Sequence, residues 1–189
     1  MNILSTLTTD HDNVEALFKR FEAADPGDAE TLAHFRDQIL EQLAVHAEIE
    51  EQLLYPALRD AAEDEVLESL EEHHAVKAVL AELERMPATH ERFRAKMAVV
   101  IDNVRHHVAE EQADDGLFGV ARKALKQPEL EAMAEQAEKV RAKGPTRPHP
   151  LSPDQPPLNV LLALPVAVLD RVVTPVRRTV ERVVLHRPA

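Results

Sequence analysis

Four stretches of this chain repeat apolar residues at the spacing of an α-helix, and each also places a histidine on or beside its apolar face. The first, about residues 2–24, carries Ile3, Leu7, Val14, Phe18 and Phe21, with His11 among them. The second, about 29–54, carries Leu32, Phe35, Ile39, Leu43 and Leu53, with His46 and Glu50. The third, about 64–86, carries Val66, Leu70, Val76, Leu80 and Leu83, with His73. The fourth runs from about His90 past Arg105 and carries Phe93, Met97, Val100, Ile101, Val104 and Val108, with His107 at the edge and Glu111 on the stripe. Asp25-Pro26-Gly27-Asp28, Pro56 and Pro87 punctuate the stretches. Short connections between amphipathic helices predict an all-α, up-down-up-down four-helix bundle over residues 1–143. A shorter extra helix over 128–143 and an amphipathic C-terminal tail complete the expected architecture. No strand pattern competes.

Polar residues on the inward face of a bundle need a physical reason. At about 100° per residue, His46 and Glu50 both fall within about 20° of Ile39. His73 lies near the line of Val66 and Leu80, whereas His74 is turned to the flank, and His106 and Glu110 point away. Two His-x-x-x-Glu pairs result, His46/Glu50 and His107/Glu111, each with both side chains on one helix face. A lone inward histidine is ordinarily a hydrogen-bonded core residue, and His34, His90, His149 and His186 read as surface, turn or tail positions. Six converging donors on four helices are different. Four imidazoles and two carboxylates in an apolar interior are costly unless something compensates them. A pair of metal ions does so, two imidazoles to each and the glutamates bridging. Nitrogen and oxygen donors suit iron, manganese or zinc, and six of them favour a dinuclear site. The rival carboxylate-rich bundle needs two Glu-x-x-His motifs, and only Glu71/His74 fits that spacing.

The rest of the composition narrows the function. The chain has no cysteine, which removes thiolate chemistry, disulfides, iron–sulfur clusters and cysteine-ligated zinc. Four glycines and no Gly-rich motif leave no phosphate-cradling loop. A net charge of −12 argues against a nucleic-acid partner. The first residues show no basic segment followed by an apolar run, so no signal peptide is expected and the expected location is cytoplasmic. Nine of the 13 prolines follow residue 143, marking 144–157 as a proline-rich linker ahead of an amphipathic segment at 158–189. In that segment Pro165 interrupts an apolar run too short to span a membrane. Valines 172, 173, 176, 180, 183 and 184 form one face and arginines dominate the other. The favoured role is self-docking on the bundle or pairing with a second copy of the chain through 158–187, ahead of an anionic membrane surface or disorder.

The motifs in order are Thr9-Asp10-His11, then His46-x-x-x-Glu50-Glu51 followed by Leu54-Tyr55-Pro56, then Leu70-Glu71-Glu72-His73-His74-Ala75-Val76-Lys77, and His106-His107-Val108-x-x-Glu111. Over about residues 1–125 this combination resembles the hemerythrin-like (HHE cation-binding) family. The resemblance implies a four-helix bundle holding an oxo- or hydroxo-bridged di-iron centre, with His11, His46, Glu50, His73, His107 and Glu111 as ligands. Oxygen-carrying hemerythrins differ: they have a His-x-x-x-His pair in the third helix and an aspartate ending the last motif. Here Lys77 stands four residues after His73, so one imidazole is missing and more coordination positions stay open. Tyr55, the only tyrosine, is expected to pack at the end of the second helix, with metal ligation as the alternative.

The leading expectation is therefore a non-heme di-iron protein that meets O2, hydrogen peroxide or nitric oxide at an open iron position. Peroxide or nitric oxide detoxification, catalase-like or NO-reducing, is favoured over carriage. No other catalytic residues stand out beyond the metal ligands. The alternatives are a non-catalytic protein that binds, stores or senses iron or a diatomic gas, and a scaffold in which metal serves stability alone.

Overall fold

Capping chemistry starts the first two helices where the sequence places them. In the computed structural model, which describes residues 1–143 and 146–149, α1 (Ile3–Ala23) opens on a reciprocal box. The Asn2 side chain accepts the Ser5 N–H at 3.0 Å, and Ser5 Oγ accepts the Asn2 N–H at 3.1 Å. The Asp28 side chain caps α2 (Ala29–Ile49) by accepting the Thr31 N–H at 3.0 Å. The helix does not stop at Pro56 as expected. It widens into a π-helical turn (Glu50–Leu54) and continues as α3 (Tyr55–Leu58). Proline has no N–H to donate, and its ring collides with the carbonyl four residues back in a regular α-helix. The turn before Pro56 relieves this by widening, and the Tyr55 N–H reaches the Glu50 carbonyl five residues back.

After a short turn come α4 (Glu63–Arg85) and α5 (Phe93–Gln112). The start of α5 is later than the expected His90 because Pro87 to His90 folds into turns, His90 N–H donating to Pro87 O at 2.9 Å. Two helices follow where the sequence suggested one: α6 (Leu117–Ala124) and α7 (Gln127–Lys143). The described residues are helical with no strand. Helices α1, α2, α4 and α5 close a ring of neighbours in chain order, and α7 lies against α1 and α2. No helix among the described residues is long and apolar enough to cross a membrane. Apart from 146–149, the expected linker at 144–157 and the amphipathic segment at 158–189 lie outside the described residues.

Two apolar clusters fill the bundle, one toward each end. One gathers Ile3, Leu7, Ile49, Leu54, Leu58, Val66 and Phe118. The other gathers Val14, Phe18, Ile39, Leu43, Leu80, Ile101 and Val104. Along α1, α2 and α4 the inward histidine falls between a residue of one cluster and a residue of the other, and on α5 His107 follows Val104 of the second cluster. A polar layer is thus clamped between two apolar plugs.

Two glycines let α6 turn back beneath this layer. A Cβ on Gly116 would stand 2.0 Å from the Glu110 carbonyl oxygen, and one on Gly119 would stand 2.1 Å from that of Asp114. The close approach brings Phe118 to stack on His11, ring centroids 5.8 Å apart and planes 11° apart. Gly116→Ala is therefore expected to destabilise the protein by about 1–3 kcal/mol, the usual cost of overpacking. Gly27→Ala, whose Cβ would meet only a side-chain atom at 3.4 Å, is expected to change stability by less than about 0.5 kcal/mol. Thermal melting of the two variants checks the pair, and equal melting temperatures would contradict the close-approach reading.

Candidate metal centre

All six donors anticipated from the sequence meet in the polar layer. His11 (α1) and His46 (α2) approach with their Nε2 atoms 3.1 Å apart. His73 (α4) and His107 (α5) do the same at 3.3 Å. Glu50 sits between the pairs, its Oε2 3.1 Å from His46 Nε2 and 3.3 Å from His73 Nε2. Glu111 Oε2 lies 3.6 Å from His107 Nε2 and 3.7 Å from His11 Nε2. His74 and His106, the neighbours passed over in favour of His73 and His107, are exposed, as are His34 and His90.

Tyr55, expected to pack at the end of the second helix, is instead buried among the donors. Its hydroxyl donates to Glu111 Oε1 at 3.0 Å and also stands 3.3 Å from both Glu50 Oε2 and His73 Nε2. The π turn does this. A regular α-helix would put Tyr55 about 160° from Ile39, and the wider turn swings it inward. The same turn buries two consecutive carboxylates, Glu50 and Glu51.

The other nitrogen of each imidazole faces a polar group contributed by the preceding helix of the ring. Asp10 of α1 stands 3.8 Å from His46 Nδ1 in α2. Glu51 of the π turn holds His73 Nδ1 in α4 at 2.9 Å, and Glu72 of α4 holds His107 Nδ1 in α5 at 2.7 Å. Gln112 of α5 closes the cycle on His11 Nδ1 in α1 at 2.7 Å. Each of these four is the chain neighbour of a donor on its own helix, so one helix turn supplies a donor and steadies the next helix's imidazole. Such outer partners fix the tautomer and orientation of a metal-binding histidine. Two of them are held in turn by cations, Glu51 by Lys77 Nζ at 2.6 and 2.7 Å and Asp10 by Arg141 of α7 at 2.8 Å. Apolar periodicity and ligand spacing give no role to Asp10, Glu51, Glu72 or Gln112. Their signal was adjacency to a donor, readable only once the helices are arranged in a ring.

The electrostatics describe a cage short of positive charge. Glu50 is fully buried, and Glu111 is 2% exposed. Glu50 Oε1 and Glu111 Oε2 are buried without a hydrogen-bond partner. An uncompensated buried carboxylate costs several kcal/mol, a large share of a domain's net stability of about 5–15 kcal/mol. When no cation is bound, protons can fill the deficit. Burial pulls the His46 imidazole down, but the Glu50 and Asp10 carboxylates outweigh it and carry it up to about 10. Burial likewise opposes protonation of His73, and Glu50 and Glu51 carry it up to about 9. Burial and the neighbouring His46 drive His11 down to about 3. Burial and the charge of Glu50 push Glu111 up to about 7. Burial opposes ionisation of Glu50 too, yet His46 and His73 hold it well below the usual carboxylate range.

Two donor sets emerge, each with donor atoms within 4.8 Å of one another: His11, His46, Glu50 and Glu111, and Glu50, His73 and His107. Clustered imidazole and carboxylate donors of this kind can bind metal, and the unpartnered oxygens are what a cation would satisfy. The fold and site together define a cation-binding helical bundle.

Comparison with known proteins narrows that class. Residues 2–119 match the family described as the hemerythrin HHE cation binding domain, and the chain belongs to it. It is 27% identical over 173 residues to an uncharacterised hemerythrin-like protein of Schizosaccharomyces pombe, covering 89% of this chain and 83% of that protein. It is also 27% identical over 144 residues to a DNA nickase of Nostoc sp., covering 76% of this chain but 40% of the nickase. Among solved structures, it resembles a hemerythrin HHE cation binding domain-containing protein from Mycobacterium kansasii, with a TM-score of 0.64 and 25% identity. That likeness covers 75% of this chain and 88% of the other.

The shifts give the metal-free protein a definite pH response. His46 and His73 are raised above 6.5, so their contribution is fully present below that pH and is lost as pH rises through about 9 to 10. Glu111, raised from 4.5 to about 7, loses its contribution over a lower window in the same direction. Depressed His11 and Glu50 act oppositely, losing their contributions as pH falls. The melting temperature of chelator-treated protein is therefore expected to fall by several degrees between pH 7 and 10. A flat curve over that range would contradict the protonated cage.

Proposed function

We propose that this cage holds two iron ions and that the loaded protein disposes of a small oxidant, with hydrogen peroxide favoured and nitric oxide or O2 as related ligands. The proposed ligands are His11, His46, Glu50, His73, His107 and Glu111, with the Tyr55 hydroxyl as a further donor or proton holder. The observation that carries the reading is the pair of buried carboxylates, each with an oxygen lacking a hydrogen-bond partner, and one of them shared by two donor sets. A single cation would satisfy only one of those sets. When bound, the ions supply the redox change needed to convert two molecules of H2O2 into two of water and one of O2, which requires no outside reductant.

The chain's own residues supply the surroundings. A cavity of about 40 Å³ reaches the four imidazoles and is otherwise lined largely by Val14, Leu43, Ala44, Val76, Leu80 and Val104. Its size and aliphatic walls suit a neutral ligand of a few atoms. Tyr55 Oη keeps its proton, because burial and the Glu111 and Glu50 carboxylates raise the phenol well above its ordinary value. That proton stays on the hydrogen bond to Glu111 Oε1. Lys77 occupies the position of the absent imidazole, and its ammonium is taken up by Glu51. The His73 and His107 side therefore offers fewer protein donors than the His11 and His46 side, which supports reactivity over carriage. The nickase activity of the Nostoc relative is not extended to this chain, which covers 40% of that protein and carries a net charge of −12.

Protein purified from its own cells is expected to carry about two irons per chain, to show oxo-bridge absorption in the visible, and to evolve O2 from peroxide. His46→Ala should lower iron content and O2 evolution by more than about tenfold. Reversible O2 binding without turnover would favour the binding, storage or sensing alternative. A colourless protein with one zinc would refute the dinuclear assignment.

A further inference from the structure

A second cavity approaches the centre from a chemically opposite side. It measures about 290 Å³ and lies between α4 and the turn joining α5 to α6. Its walls include Glu65, Glu68, Glu72, Glu110, Glu111 and Asp115, and no lysine or arginine lines it. Its inner wall carries His107 and Glu111, two residues of the cage. Glu111 lines this cleft, and its Oε2 is buried without a hydrogen-bond partner.

Glu72, His106 and Glu110, half-buried or exposed beside this cleft, offer donor atoms within 4.8 Å of one another. His106 Nε2 and Glu110 Oε1 are one helical turn apart and 3.2 Å from each other. Glu72 belongs to both places, because its Oε2 also holds His107 Nδ1 at 2.7 Å.

We propose that this cleft is a loading route for a hydrated divalent first-row cation such as Fe(II), with Glu72, His106 and Glu110 as a transient docking site on the way to Glu111 and His107. The proposal rests on the reading that the cage holds two cations. Mixed nitrogen and oxygen donors suit the ion, and partial exposure lets it keep several waters, which favours passage over residence. The converging carboxylates raise the local cation concentration, an effect worth about 10-fold or more in association rate. The smaller cavity is a poor alternative for a dication, because its walls are mainly aliphatic and include Lys77. The two approaches divide the work: charged metal through the acidic cleft, neutral ligand through the apolar one.

Loading kinetics of the full metal-free chain test this, with Co(II) as the probe and its visible absorption as the readout at low ionic strength. A variant carrying Glu65→Gln, His106→Ala and Glu110→Gln is compared with a control carrying His34→Ala, Glu91→Gln and Glu131→Gln, which removes equal charge elsewhere. The cleft variant is expected to load at least about 10-fold more slowly than wild type and control, with an unchanged endpoint of two Co(II) per chain and a difference that shrinks as salt is added. Equal rates for cleft variant and control would overturn the loading route while leaving the cage intact. A wild-type endpoint below two ions would overturn the two-cation reading, and the route with it.

Discussion

Two carboxylates and four imidazoles must share an apolar interior, and the cost of doing so governs the rest of the molecule. Glu50 and Glu111 sit in a layer between two hydrophobic clusters. Solvent cannot satisfy them there, and burying one uncompensated carboxylate costs an amount comparable to much of a domain's stability. The layer persists only if positive charge enters it. Protons on His46 and His73 provide a partial answer in the metal-free protein, and bound cations a fuller one. Metal binding and folding stability are thereby linked in the same atoms.

The geometry that supports this layer is cyclic. Each bundle helix presents a donor inward and a neighbouring polar group sideways, and the sideways group faces the imidazole of the next helix. Displacing one helix disturbs two imidazoles, its own and the one it steadies. Lys77 and Arg141 extend the cycle outward by neutralising Glu51 and Asp10. The position that would have carried another imidazole therefore works one step removed from the cage.

Much of this was legible in the sequence, because apolar periodicity reports which face of a helix is buried. It separated His73 from His74 and His107 from His106, and the structure places each of these on the side expected. It failed where the helix stops being regular. Stepping by about 100° through residues 50–55 turns Glu51 and Tyr55 outward, whereas the π turn before Pro56 turns both inward. The same change buries Leu54 and leaves Leu53 only half-buried, the reverse of the expected stripe. α6 is hard to see in the sequence because Gly116 and Gly119 break up its apolar pattern, while their structural use is a close approach to backbone carbonyls. The polar partners behind the imidazoles were hidden for another reason: each lies on a different helix from the histidine it faces, so sequence spacing carries no record of the pairing.

The cage is reached by an apolar cavity on one side and an acid-lined cleft on the other, and the roles proposed for both depend on its holding two metal ions. X-ray absorption at the iron edge of the iron-loaded protein tests that dependence directly. The expected spectrum has nitrogen and oxygen neighbours with imidazole scattering, no sulfur, and a second iron just beyond the directly bound atoms. An isolated iron with no metal neighbour, or an ion bound only by oxygen, would contradict the shared-carboxylate centre.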